Sequence, residues 1–191
     1  MIRAWSGYAL LFAAAPLLAS NATWTFRVSL DHRDVGTHTF ELRDVANGRE
    51  VISDATFNLR VLAVSLWHYR HHATELWRDN CLQSLRSDTD SNGQQQRVDA
   101  RYDTCAMSFA YWNPGILHAH QLINSQTGVA TPVTIQDLGA DTVDIHGKPQ
   151  SAQRYQITGP QVSIDLWYQG GEWVALDADT EGGHRLHYRL N

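Results

Sequence analysis

Lysine is almost missing from this chain: of 15 basic residues against 20 acidic ones, only Lys148 is a lysine. Cysteine and methionine occur twice each and proline five times in 191 residues. Charged residues make up 18% and the formal net charge is −5. Binding to a phosphate backbone needs a clustered basic surface, so no nucleic-acid partner is expected. The 43% hydrophobic share excludes an extended disordered chain. Beyond the N-terminus no apolar run approaches the ~20 residues of a membrane-spanning helix. Signatures of hydrolases and nucleotide sites (G-x-S-x-G, S-x-x-K, H-E-x-x-H, a glycine-rich phosphate loop) are also lacking. No cofactor is expected.

The N-terminus reads as an address. Met1-Ile2-Arg3 carries one positive charge, residues 8–19 (YALLFAAAPLLA) are uncharged and mostly apolar, and Ser20-Asn21-Ala22 sets small residues where a signal peptidase reads. That is the pattern of a secretory signal, with an apolar core too short to span a bilayer. Residues 1–22 are expected to be cleaved, leaving 23–191 as one β-rich domain exported to the periplasm. An uncleaved anchor is the alternative. Export would place Cys81 and Cys105, 24 positions apart, in an oxidising compartment, where a disulfide is expected. Two buried thiols or a metal pair are the other possibilities.

What is abundant is short alternation. Trp24, Phe26, Val28 and Leu30 share one face, and Phe40 and Leu42 follow after a turn expected at residues 34–36. Phe57, Leu59 and Val61 form another set, Val162, Ile164, Leu166 and Tyr168 a third, and Leu186, Tyr188 and Leu190 the last. Period two is the mark of half-buried strands. Asn47-Gly48, Asn92-Gly93, His146-Gly147, Gly170-Gly171 and Gly182-Gly183 punctuate them as turns. The expectation is all-β: an antiparallel meander forming a curved sheet or partly open β-barrel, with at most short helices. One stretch reads both ways. Leu59, Leu62, Leu66, Tyr69, Ala73 and Leu76 have helical spacing, while Trp67, Tyr69, His71 and Trp77 share a face only on a strand.

In that stretch Tyr69-x-His71-x-x-x-Glu75-x-Trp77 is followed by Cys81-Leu82-x-x-Leu85-x-Ser87-x-Thr89-x-x-Asn92-Gly93. Downstream come Phe109-x-Tyr111-Trp112-Asn113-Pro114, Leu122-Ile123-Asn124-x-Gln126-Thr127-Gly128, Ile164-Asp165-Leu166-Trp167-Tyr168 and Gly183-x-Arg185-Leu186-x-Tyr188. In this order the blocks resemble the DUF6134 family of uncharacterised exported bacterial proteins, with a related block in DUF3108. The resemblance implies a β-rich exported domain with no established activity, and it turns the ambiguous stretch toward strand. Asp88 is a charge that the family pattern does not require.

Several constellations carry possible chemistry. His68, His71, His72 and Glu75 would cluster on a helix, as zinc or copper would need. On a strand His68 and His72 face away from His71 and Glu75, so no metal site is expected. His71 and Glu75 could instead be polar handles in an aromatic pocket bounded by Trp67, Tyr69 and Trp77, or Glu75 could be a buried acceptor that specifies the fold. Asp88, Asp90, Asn92 and Asp99 occupy calcium-loop positions, but Asn92-Gly93 is equally a hairpin turn. Seven Trp and seven Tyr are more aromatic mass than a small sheet needs. The functional expectation is therefore a non-enzymatic, barrel-like carrier with a hollow for a lipid or other apolar molecule. The alternatives are a periplasmic enzyme using His71 and Glu75, and an envelope assembly protein pairing through exposed sheet edges. The sequence leaves the oligomeric state open.

Overall fold

A computed structural model describes residues 21–61, 64–180 and 182–191, and the side chains of these except residues 60–66. The leader expected over residues 1–22 therefore lies almost wholly outside the described residues, as do residues 62 and 63 of the ambiguous stretch. The strands are β1 (Ala22–Leu30), β2 (Arg33–Val45), β3 (Gly48–Val61), β4 (Val64–Arg78), β5 (Cys81–Ser91), β6 (Gln94–Ala106), β7 (Gln121–Ile123), β8 (Ala130–Pro132), β9 (Thr134–Ile145), β10 (Lys148–Gly159), β11 (Val162–Gln169), β12 (Glu172–Asp179) and β13 (Arg185–Leu190). Eleven of them form one antiparallel sheet in the order β6-β5-β4-β3-β2-β1-β13-β12-β11-β10-β9, and β7 and β8 make a separate ribbon.

Local chemistry sets this meander. Asp31-His32, Asp79-Asn80, Asn92-Gly93, His146-Gly147 and Gly170-Gly171 all have positive φ at both positions. That geometry matches the twist of the strands a two-residue hairpin joins. The first turn falls at Asp31-His32 and not at residues 34–36, because Gly36 lies inside β2. A Cβ there would stand 2.0 Å from the Thr56 carbonyl oxygen of β3, so Gly36 permits a close backbone approach instead of a turn. The described residues of the ambiguous stretch are strand. Tyr69 and Ala73 face inward on β4 with Trp67, His71, Glu75 and Trp77, and Leu76 faces the opposite side.

The sheet curls without closing. Strands three places apart in a flat sheet are separated by about 14 Å. Here Phe40 of β2 and Trp173 of β12 have ring centroids 5.1 Å apart, and Phe57 of β3 and Tyr188 of β13 are 6.3 Å apart. Residues 107–133, between edge strands β6 and β9, lie across the concave face and carry a short 3-10 helix, Pro114–His118. Asn113 caps it, its Oδ1 accepting from the Gly115 N–H at 2.9 Å. Ile116 and Leu122 from this segment are fully buried among Phe26, Ile157, Leu166 and Trp173. The expected hollow is thus filled at its centre: the chain's own segment occupies it, because curling an eleven-stranded sheet leaves more apolar concave surface than its side chains alone cover. On the convex side the tip of the β9–β10 hairpin folds over Trp167, adding Val143, Ile145 and Ala152 to a second small core.

Cys81 and Cys105 are bridged, with Cα atoms 4.8 Å apart, joining β5 to the end of β6. Asp165 and Asp177, 4% and 8% exposed, anchor a convex-face network with Arg154, Arg185 and Arg189.

Candidate functional site

β4 carries the residues that the sequence singles out, and its pleat puts Trp67, Tyr69, His71, Glu75 and Trp77 on the concave face. His68 and His72 point the other way and pair with Asp90 at 3.3 Å and Asp54 at 2.6 Å. Among the described residues no group of three or more His, Cys, Asp or Glu is placed to hold a metal ion.

The inward row does not form one pocket. From Trp67 to Trp77 the strand advances about 33 Å, so the two indoles sit at opposite ends of the curl. At the Trp77 end, Trp77 packs edge-on against Trp112 at 5.3 Å and donates its indole N–H to Glu75 Oε2 at 2.9 Å. Burial pushes the Glu75 carboxyl up from its usual range, and the neighbouring Ser108 hydroxyl and Trp77 indole oppose that shift. Among the described residues the Ser108 hydroxyl does not reach full hydrogen-bond geometry, and the Tyr102 hydroxyl and Asn113 Nδ2 are likewise buried without a partner. The 520 Å³ depression at this end is rimmed by Asp44, Arg49, Arg78 and Asp79.

In the middle of the row, His71 Nδ1 lies 2.8 Å from the Thr89 hydroxyl and Nε2 lies 3.3 Å from the Ser125 hydroxyl. Burial, with His72 acting in the same direction and Asp54 against it, pushes the imidazole down to about 4. It is therefore neutral at neutral pH. Ser87 donates to the Ser125 carbonyl at 2.5 Å, Tyr69 donates to Gln126 Oε1 at 3.1 Å, and Gln126 donates to Gln96 at 2.6 Å. Tyr69 and His71 thus dock the turn at residues 124–128 onto the sheet. Neighbouring His38 lies 2.7 Å from the Ser53 hydroxyl and 3.4 Å from that of Tyr188. His71 and Glu75 are about 13 Å apart along the strand, both buried. That separation is too wide for one small substrate to lie within hydrogen-bond reach of both groups as acid and base.

At the Trp67 end the walls change. Leu30, Leu59, Trp67 and Leu186 line a 350 Å³ apolar vestibule with Thr180 and His184 at its rim. Beneath it Phe57 stacks on Trp67 at 6.0 Å and on Tyr69 at 5.5 Å. A third depression, 620 Å³, opens between the end of β6 and residues 115–130, with mixed walls including Met107, His118 and His120. Leu30, Leu59 and Leu186 were legible as strand residues, but their convergence depends on the curl. His38, Ser87, Thr89, Ser125 and Gln126 carried no sequence signal beyond the family blocks.

The calcium-loop alternative does not hold. Asp88 and Asp99 sit on adjacent strands and pair with Arg97 at 2.6 Å and Arg86 at 3.3 Å. Asp90 accepts from the Gly93 N–H at 2.7 Å, and Asn92 Oδ1 accepts from the His68 N–H at 2.8 Å. Their oxygens serve the β5–β6 hairpin and do not converge.

An open, curled antiparallel sheet whose concave face is filled by one connecting segment is a β-barrel-like architecture. It matches the β-barrel-like protein of a domain of unknown function, DUF1849, from Brucella abortus, with a TM-score of 0.64 at 10% identity, over 91% of this chain and 96% of that one. The chain belongs to the DUF6134 family, a domain of unknown function, whose model matches residues 26–191. No curated protein matches it.

Proposed function

We propose that the protein is an exported, periplasmic carrier that holds an apolar or amphipathic molecule, such as a lipid-derived chain, in the vestibule beside Trp67. The observation that carries this reading is the 350 Å³ space walled by Leu30, Leu59, Trp67 and Leu186, with polar groups only at the rim. Small-molecule sites are concave, mostly apolar and furnished with few polar groups. Because the centre of the curl is packed, the guest inserts one apolar chain and leaves its polar end near Thr180 and His184. In this reading Trp67 contacts the guest, Tyr69 supports the floor, and His71, Glu75 and Trp77 hold the protein's own segment. The leader-like residues 1–22 support export.

Native mass spectrometry of protein extracted under mild conditions tests the reading. An adduct of lipid mass is expected, and Leu186→Arg, which sets a charge in the vestibule, is expected to remove it without unfolding the protein. An empty native protein that also takes up no decanoic acid would overturn the proposal.

A further inference from the structure

The two edges of the sheet are built differently. β9 carries Asp137, Asp141 and Asp144 and slips register against β10 beside Gly139. A bulge and charges of one sign keep an edge from pairing. β6 instead runs in unbroken register with β5 from Gln94 to Arg101 and slips only past that stretch, between Arg101 and Ala106. Among the described residues its outer side makes no backbone hydrogen bond.

The convex-facing side chains of β6 alternate in sign: Arg97, Asp99, Arg101 and Asp103, all exposed. Two of them extend a charge pattern already laid across the sheet, because Arg97 pairs with Asp88, and Asp99 with Arg86. Arg101 and Asp103 have no ion-pair partner among the described residues. This alternation is self-complementary under a two-fold rotation.

We propose that β6 pairs antiparallel with β6 of a second copy, about a two-fold axis at Ala100. Arg97 then faces the partner's Asp103 and Asp99 faces the partner's Arg101, each contact made twice. Moving the axis by one residue, to Asp99 or Arg101, would set like charges against each other, so the pattern selects the register. Axes at Val98 or Tyr102 keep opposite signs opposed but form fewer pairs. A single strand edge is a small interface, so the dimer forms only as concentration rises. Exposed ion pairs are screened by salt, so association weakens on the order of tenfold between dilute buffer and 0.5 M salt.

Sedimentation velocity across a concentration series, combined with cysteine cross-linking, tests this. Opposed Cα atoms in an antiparallel pair are about 4.5–5.5 Å apart, within reach of a disulfide. Ala100→Cys is therefore expected to give a cross-linked dimer on oxidation. Gln94→Cys, roughly 40 Å from its copy in this register, is expected to give none. Arg101→Asp is expected to disperse the dimer with an unchanged melting curve, and adding Asp99→Arg to restore it. A protein that stays monomeric throughout the series overturns the proposal. So does a dimer that Gln94→Cys traps as well as Ala100→Cys, or one indifferent to Arg101→Asp.

Discussion

Replacing Ile116 with alanine probes whether the connecting segment is core or covering. Ile116 is fully buried from within the short 3-10 helix of the connecting segment, in one cluster with Phe26, Leu122, Ile157, Leu166 and Trp173 drawn from β1, β7 and β10–β12. Truncating a buried isoleucine loses transfer free energy and leaves a cavity, at a cost of about 2–5 kcal/mol. For a domain of this size each kcal/mol moves the melting temperature by roughly 2–4 °C. A fall of about 10 °C is therefore the central expectation. Val129→Ala in the same segment is the control, since Val129 is 59% exposed. Exposed substitutions of that kind usually stay within about 0.5 kcal/mol. Both variants would be followed by circular dichroism on heating and by denaturant titration. If Ile116→Ala melted no lower than Val129→Ala, the segment would not be part of the core and the packed-centre account would fail.

Acid should weaken the protein through its buried histidines. His71 is held at about 4 and His38 at about 3, chiefly by burial, against an ordinary value of 6.5. Between pH 6.5 and those values the unfolded chain binds protons that the folded one refuses. Stability therefore falls as pH drops through that window, by up to about 1.4 kcal/mol per pH unit for each histidine. Urea midpoints at pH 7 and pH 4.5 should differ by less in His71→Gln than in the parent; an equal difference would dismiss the assignment. Reducing the Cys81–Cys105 bridge should cost about 3 kcal/mol for a loop of 24 residues, seen as a lower melting temperature with reductant, and an unchanged melt would contradict it. Asp165→Ala removes the nearly buried partner of Arg154 and Arg185, which keep Asp141 and Asp179, and should cost about 1.5–3 kcal/mol by chemical denaturation. A loss under about 1 kcal/mol would show that the pairs behave as exposed ones.

The meander was legible because period-two alternation and Gly-containing turns are local. Turns such as Asp79-Asn80 were not, since two non-glycine residues at positive φ carry a weaker signal than Asn-Gly. Residues 107–133 were legible only as family blocks. Their packing against both halves of the sheet is a long-range outcome, which no local spacing of Trp112, Ile116 or Leu122 encodes. The inward facing of Trp67, Tyr69, His71, Glu75 and Trp77 follows from the strand period alone. Their division between two ends and a docked middle does not, because it depends on strand length and on where Ser125 and Gln126 land.

A guest in the vestibule would be seen by fluorine NMR of fluorotryptophan-labelled protein titrated with decanoic acid below its micelle concentration. Trp67 lines the apolar vestibule, whereas Trp77 and Trp112 meet at the other end. The Trp67 resonance is expected to shift and saturate while those of Trp77 and Trp112 hold still. A titration in which Trp67 stays put, or in which Trp77 and Trp112 move instead, would contradict a guest held at the Trp67 end.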